Sequence, residues 1–531
     1  VKPWRGAIRA PEHPPAINPS QPSTELALQW VHGYTSGSAG SDNSRISSNL
    51  HYNIDNNIVY PAAALGICLN HDSSGSGNST QTYFTGHDDD VLCLAISPDR
   101  RFIATGQTAS KSSKGTGKIC VWDAVDCRLL SEMKGAHKRG VVSVSFNPSS
   151  DKLLSIGLDN NYTHTVWSDV GGSWSRVQQS STSKSDQKTH LYSLWIAEPE
   201  QFDCSFVSGG ATSVHFWKIE GSAVTKKESR FAKFPQKPIL CAAGLKMKDG
   251  KFTLITGSST GSLYVFEKDR ECKNMIENAH GGAVITLVGS KEGDFVISGA
   301  SDKCVKVWNH ALQAITSCQL GQDLNLSPVN AAVASLDYRY DSSHNLVVLV
   351  GTYGGEIMEI TSNTSDDQDA ESKPGRSEER DMSAAVNFDL VADSAVCLVH
   401  SHYSGELWGV APHPTNADLV ATGGDDSTIR IWSVKQRRML SCLVVGKDVR
   451  SICWDPKGRI LCVGFNGSGG RGKKSKGKKG KGKGKGKGKT QTANNDKNSA
   501  GGKVGPGVLP DMSNVACAVF AFSLDNFQLQ F

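Results

Sequence analysis

Nowhere in this 531-residue chain do about 18 apolar residues run together, so no helix is expected to cross a membrane. The opening stretch, VKPWRGAIRAPEHPP, has no apolar centre, and no secretory leader is expected in it. It does not begin with Met, which agrees with a start further upstream. No CxxC pair occurs among the 14 cysteines. Cys93, Cys120, Cys304, Cys453 and Cys462 fall inside apolar strand-like runs, so buried reduced thiols in a cytosolic protein are expected. A zinc or disulfide framework is not. There is no HExxH motif and no cluster of metal ligands, and no cofactor or metal is expected. Acid is missing from one stretch in particular, Arg471 to Lys489, which holds one Arg and ten Lys. Removing those 11 from 57 basic residues leaves 46 against 52 acidic ones. The net charge of +5 therefore hides a body of about −6 and one basic insert.

What is present is a repeat. Residues 1–25 are rich in proline and read as an extended linker. From Leu26 the text changes, and Asn57–Leu69 is a mostly apolar run that suits a strand or a short buried helix. The Asp55-Asn56-Asn57 turn before it favours the strand. A series of short strands separated by Gly, Ser, Asn and Asp then begins at His87. Trp122, Trp167, Trp217, Phe266 and Trp308 mark its units at intervals of roughly 40–50 residues, the period of a four-stranded propeller blade. One such unit buries too little apolar surface to stand alone, and stacking around an axis covers its faces. The fold class expected is all-β, a WD40-type β-propeller of about seven blades followed by an incomplete second ring.

The clearest unit runs from His280 to Trp308. Its spacing suggests that His280 bridges Asp302 and Ser298, with the Trp308 indole N–H closing the network, since an unpaired buried polar group costs about 1–3 kcal/mol. The same fastener is expected from His137, Ser155, Asp159 and Trp167, from His87 and Trp122, and from Thr422, Asp426 and Trp432. Residues that look like a catalytic relay are thus read as structural. Gly257-Ser258-Ser259-Thr260-Gly261 fits a nucleophile-elbow pattern but lies between two strands, not before a helix. Gly467–Lys473 approaches a phosphate-binding loop, yet Lys474 stands where Ser or Thr is required. No enzyme is expected.

Trp30, His32, Gly33 and Tyr34 in WVHGY, Asn49 in NLHY, and Tyr60, Ala63 and Gly66 in IVYPAAALGI carry a resemblance. Together with YFTGHDDDVLCLAISP and HSHYSGELWGVAPHP, this text resembles the HELP motif and flanking blades of the echinoderm microtubule-associated protein-like family. The resemblance implies that HELP completes and braces a tandem pair of propellers, and that the module binds tubulin or microtubules. A Ser/Gly insertion at Thr35–Ser48 departs from the family pattern, and no heptads precede it as a trimerising coiled coil would need.

The expected domains are 1–25 (linker), 26–396 (HELP and first propeller, with a disordered acidic loop near 364–382) and 397–531. The last begins a second propeller and carries the Gly/Lys insert, 467–505. In that insert Arg471, Lys473, Lys474, Lys476, Lys478, Lys479, Lys481, Lys483, Lys485, Lys487 and Lys489 would contact a polyanion. Tubulin is the expected partner, in the cytoplasm and microtubule cytoskeleton, with the cilium as one setting. The alternatives are a general protein-interaction scaffold or, less favoured because no aromatics interleave, nucleic-acid binding.

Overall fold

A computed structural model of the chain describes residues 12–13, 20, 26–36, 48–71, 79–110, 115–180, 190–197, 199–210, 214–221, 223–246, 250–268, 270–320, 331–364, 388–390, 394–402, 405–465 and 519–523. The acidic stretch Asp366–Asp381 and the basic stretch Arg471–Lys489 lie outside these. The chain divides into two units, Val1–Val31 and His32–Phe531. The described residues of the first hold no helix or strand, and Leu26 is fully exposed.

The second unit is built from antiparallel meanders. Blade 6 shows the pattern: Val284–Gly289, Phe295–Ala300, Cys304–Asn309 and Ala314–Gln319 pair in chain order. Its first three strands are largely buried and the fourth is not, so apolar alternation fades from the inner edge to the outer. Turns between strands place Lys303 and Leu312 at positive φ, as tight connections demand. Equivalent four-stranded sheets span residues 51–84, 91–138, 141–180, 190–228 and 239–276, blades 1 to 5. Blade 7 differs because its outer strand comes in two pieces, Phe388–Leu390 and Val396–Val399, both paired with Ile357–Thr364. The run Asn57–Leu69 is not one strand but a hairpin, Ile58–Ala62 and Leu65–Asn70. Ala63 turns at φ 50 between two small residues that allow the reversal.

In blades 2, 5 and 6 one glycine explains how neighbours stack. A Cβ on Gly106 would come within 2.7 Å of Val141, on Gly257 within 2.6 Å of Val284, and on Gly299 within 2.3 Å of Val333. Each glycine thus leaves the hole that the first valine of the next blade fills. In blade 7 the same place, Gly351, is filled by Tyr34 and Leu50. The chain preceding blade 1 therefore packs on blade 7 and closes a ring of seven.

Two further sheets follow. Leu407–Pro412, Leu419–Gly424, Thr428–Ser433 and Arg438–Val444 form one, and Gly423 again accommodates Val449 of the next. That last sheet has three strands, Val449–Trp454, Ile460–Phe465 and Val519–Ser523, so the basic segment is inserted between its second and third. Cysteines follow the sheets they sit in. Cys93, Cys120 and Cys304 are buried, but Cys453 is exposed and Cys462 half-buried, because no described sheet covers that side of the last one. A short helix, Pro199–Phe202, which strand periodicity does not signal, sets Phe202 edge-on to Phe252 at 5.3 Å.

Candidate functional site

The polar residues of blade 6 form a directed chain. The Trp308 indole N–H donates to Ser298 Oγ at 2.7 Å, and Ser298 Oγ lies 2.7 Å from His280 Nε2. Because the Asp302 carboxylate on the other ring nitrogen can only accept, a neutral His280 accepts the Ser298 hydroxyl hydrogen bond at Nε2. His280 Nδ1 then carries the ring proton toward Asp302, 3.2 Å away. The carboxylate also accepts the Gly281 and Cys304 amides, which fixes the turn. Lys306 donates to the Ala279 carbonyl just before the histidine. Burial lowers the His280 pKa, and a neutral imidazole is what this chain of donors needs.

Other blades vary the parts. In blade 2, His87 lies 2.7 Å from Thr105 Oγ1 and 2.7 Å from Gln107 Oε1, and Trp122 donates to Thr105 at 3.1 Å. Gln107 stands where blade 6 has Asp302 and passes the network on to Asp88. Burial pulls the His87 pKa down to about 4. Thr105 lies 18 positions past His87, as Ser298 does past His280, and that spacing was the available signal for it.

In blade 3, His137 and Trp167 meet at Ser155, at 2.7 and 2.8 Å. Asp159 does not join them as expected. The turn from Gly157 to His164 is longer than its blade 6 counterpart, and the carboxylate bends back to Thr163 and Asn161. His137 Nδ1 is left without a hydrogen-bond partner among the described residues, and burial lowers its pKa to about 4.

Blade 4 borrows its histidine. Trp217 donates to Ser208 at 2.9 Å, and the imidazole on Ser208 is His164 of blade 3, also at 2.9 Å. In the sheet after the ring, Thr422, Asp426 and Trp432 are joined by His402, with Nδ1–Asp426 2.9 Å, Nε2–Thr422 2.8 Å and Trp432–Thr422 2.6 Å. Burial pushes the Asp426 pKa up, but the His402 hydrogen bond, with Thr428 and Arg430, outweighs it and holds the carboxyl low. Arg430, 1% exposed, reaches Asp426 at 3.4 Å.

The segment before blade 1 carries the second constellation. The Tyr34 hydroxyl bonds Asn49 Oδ1 and lies 2.7 Å from Ser335 Oγ of blade 7. The Tyr52 amide donates to Asp337 at 2.8 Å, and its hydroxyl to Glu359 at 2.5 Å. Arg100, at φ 61 in blade 2, clamps both oxygens of Asp337 at 2.7 and 3.0 Å and also the Tyr52 carbonyl at 2.6 Å. Burial alone would raise the Asp337 pKa, but Arg100 and His51 hold it far below the usual carboxylate range. Three blades meet at one ion pair whose carboxylate is buried and whose guanidinium is half-buried. None of Arg100, Ser335, Asp337 or Glu359 was singled out from sequence, because their pairing spans 237 residues or more and follows no repeat.

The remaining residues of that segment face two ways. Gly33, at φ 111, sits against Ser401, and His32 packs 4.6 Å from the Trp432 ring of the first sheet beyond the ring. Tyr60 is buried and accepts a hydrogen bond from Gln81, Ala63 accepts the Val91 amide at its carbonyl, and Gly66 packs under Trp122. Trp30 belongs to the first unit. Among the described residues no three metal-ligating side chains gather, and no helix is long and apolar enough to cross a membrane.

Comparison with known families matches residues 80–360 to the first β-propeller of the echinoderm microtubule-associated proteins, 21–67 to the HELP motif, and 395–433 to a WD domain G-beta repeat. Human echinoderm microtubule-associated protein-like 2 is 27% identical over 452 residues, covering 83% of this chain and 60% of the relative. The 77 kDa echinoderm microtubule-associated protein of Strongylocentrotus purpuratus is 25% identical over 448 residues, covering 83% and 56%. The chain thus spans 60% and 56% of the length of these relatives. With a family match across more than half its length and a ring closed by the matching HELP segment, the chain belongs to the echinoderm microtubule-associated protein family.

Proposed function

We propose that this chain is a non-catalytic, microtubule-associated module that binds tubulin or the microtubule lattice through the outer surfaces of its sheets. The observation that carries the reading is the use made of its His, Ser, Asp and Trp residues. They lie buried or half-buried within or between blades and hydrogen-bond to one another, as in the Trp308–Ser298–His280 chain, so their polar atoms are engaged in holding the sheets. Membership of a family whose relatives carry microtubule association in their names supports the microtubule as partner. The eleven cations of Arg471–Lys489 add a salt-sensitive attraction to an acidic surface. The setting proposed is the cytoplasm and its microtubules.

Co-sedimentation with taxol-stabilised microtubules tests this. The chain should pellet at low salt, and deleting the basic insert should reduce pelleting without abolishing it. A chain left in the supernatant at low salt would refute the reading, and complete loss on deleting the insert would assign binding to that tether alone.

A further inference from the structure

Beyond that reading, and independent of it, the connection from the outer strand of blade 4 into blade 5 has the construction of a contact site. Lys226 to Lys237 carries five cations, Lys226, Lys227, Arg230, Lys233 and Lys237, against one carboxylate, Glu228, a balance of +4 in a body of about −6. Such a connection could be loose, but this one is pinned. Phe231 is 9% exposed and stands edge-on to Tyr264 and Phe266 at 5.4 and 5.5 Å. The Tyr264 hydroxyl donates to the Pro235 carbonyl at 2.6 Å. The Arg230 amide donates to Arg270 and its carbonyl accepts from Cys272, at 2.9 and 2.8 Å.

The anchoring residues point in and the cations point out. Lys226 and Lys227 lie along Trp217 and Asp203, and Arg230 lies 3.8 Å from Glu271. Lys233 is exposed with its ammonium 5.4 Å from the Phe234 ring, and Lys237 is part-exposed. Among the described residues neither Lys233 nor Lys237 has a carboxylate within ion-pair distance.

We propose that this pinned loop is a docking site for an acidic, glutamate-rich polypeptide segment of a partner protein. Asp203 and Glu271 offset Lys227 and Arg230, which leaves Lys233 and Lys237 as like charges on a fixed backbone for an incoming run of carboxylates to pair. Lysine ammoniums act as point charges that suit carboxylates spaced along a flexible segment. Nucleic acid is the weaker fit, because Phe231 is turned inward and the half-buried Phe234 ring already lies against Lys233.

The test uses the full chain with the cations of Arg471–Lys489 changed to Ser, so that the tether does not mask the loop. A fluorescein-labelled peptide of glutamates is titrated by anisotropy at low salt. Changing Arg230, Lys233 and Lys237 together to Ser should weaken binding about tenfold, with an unchanged melting temperature. Lys233→Arg with Lys237→Arg should keep the affinity, which a purely structural role of these side chains would not require. Affinity within twofold of the parent in the triple variant would overturn the proposal. So would tighter binding of single-stranded RNA or of phosphatidylserine vesicles than of the peptide.

Discussion

Ser298 shows what a single side chain does in this ring. Its one hydroxyl serves an indole donor and an imidazole acceptor, so Ser298→Ala leaves two buried groups unpaired. At about 1–3 kcal/mol for each, urea unfolding should show a loss of at least 2 kcal/mol. Ser298→Thr should cost less than about 1 kcal/mol, since Thr105 and Thr422 fill the same place in other sheets. The histidines make a pH prediction. His87 and His137 titrate near about 4 in the fold, below the ordinary imidazole value. Between pH 6.5 and 4 the unfolded chain therefore binds more protons than the folded one, and stability falls as pH drops through that window. Melting temperature against pH should show this slope, and His137→Gln should flatten it. A profile level from pH 7 to 4.5 would contradict neutral buried imidazoles.

At the scale of strands and blades, the glycine holes and the Arg100–Asp337 clamp matter most. Gly299→Ala would drive a Cβ to 2.3 Å from Val333, and an overpacked blade interface should cost about 1–3 kcal/mol in thermal or urea unfolding. Arg100→Ala leaves the Asp337 carboxylate buried without its partner, and breaking such a pair costs about 3–5 kcal/mol. Limited proteolysis should then cut first near Asn49–Asn57, where the clamp holds the Tyr52 backbone. Sequence carried much of this. Blades announce themselves because Trp122, Trp167, Trp217 and Trp308 recur at the blade period, and the quartet of blade 6 could be read from spacing alone. It failed where a partner breaks the period. Gln107 replaces an acid, His164 is lent by a neighbour, and a lengthened turn takes Asp159 away from His137. It failed entirely for Asp337 with Arg100, whose union depends on closing a circle.

For the second unit as a whole, the segment from His32 to Phe84 does two jobs. It supplies the blade that closes the ring, and its first residues touch the sheet that follows, through His32 on Trp432 and Gly33 on Ser401. Arg437 of that sheet also donates to the Ser79 carbonyl of blade 1. Loosening the ring should therefore disturb the sheets beyond it, and binding that uses both should fall together. The most direct measurement is sedimentation of the Arg100→Ala chain beside its parent with stabilised microtubules at low salt, below the melting point of both. The parent should pellet and the variant should pellet markedly less while its basic insert is intact. Equal pelleting of the two would contradict a binding surface that depends on the closed ring.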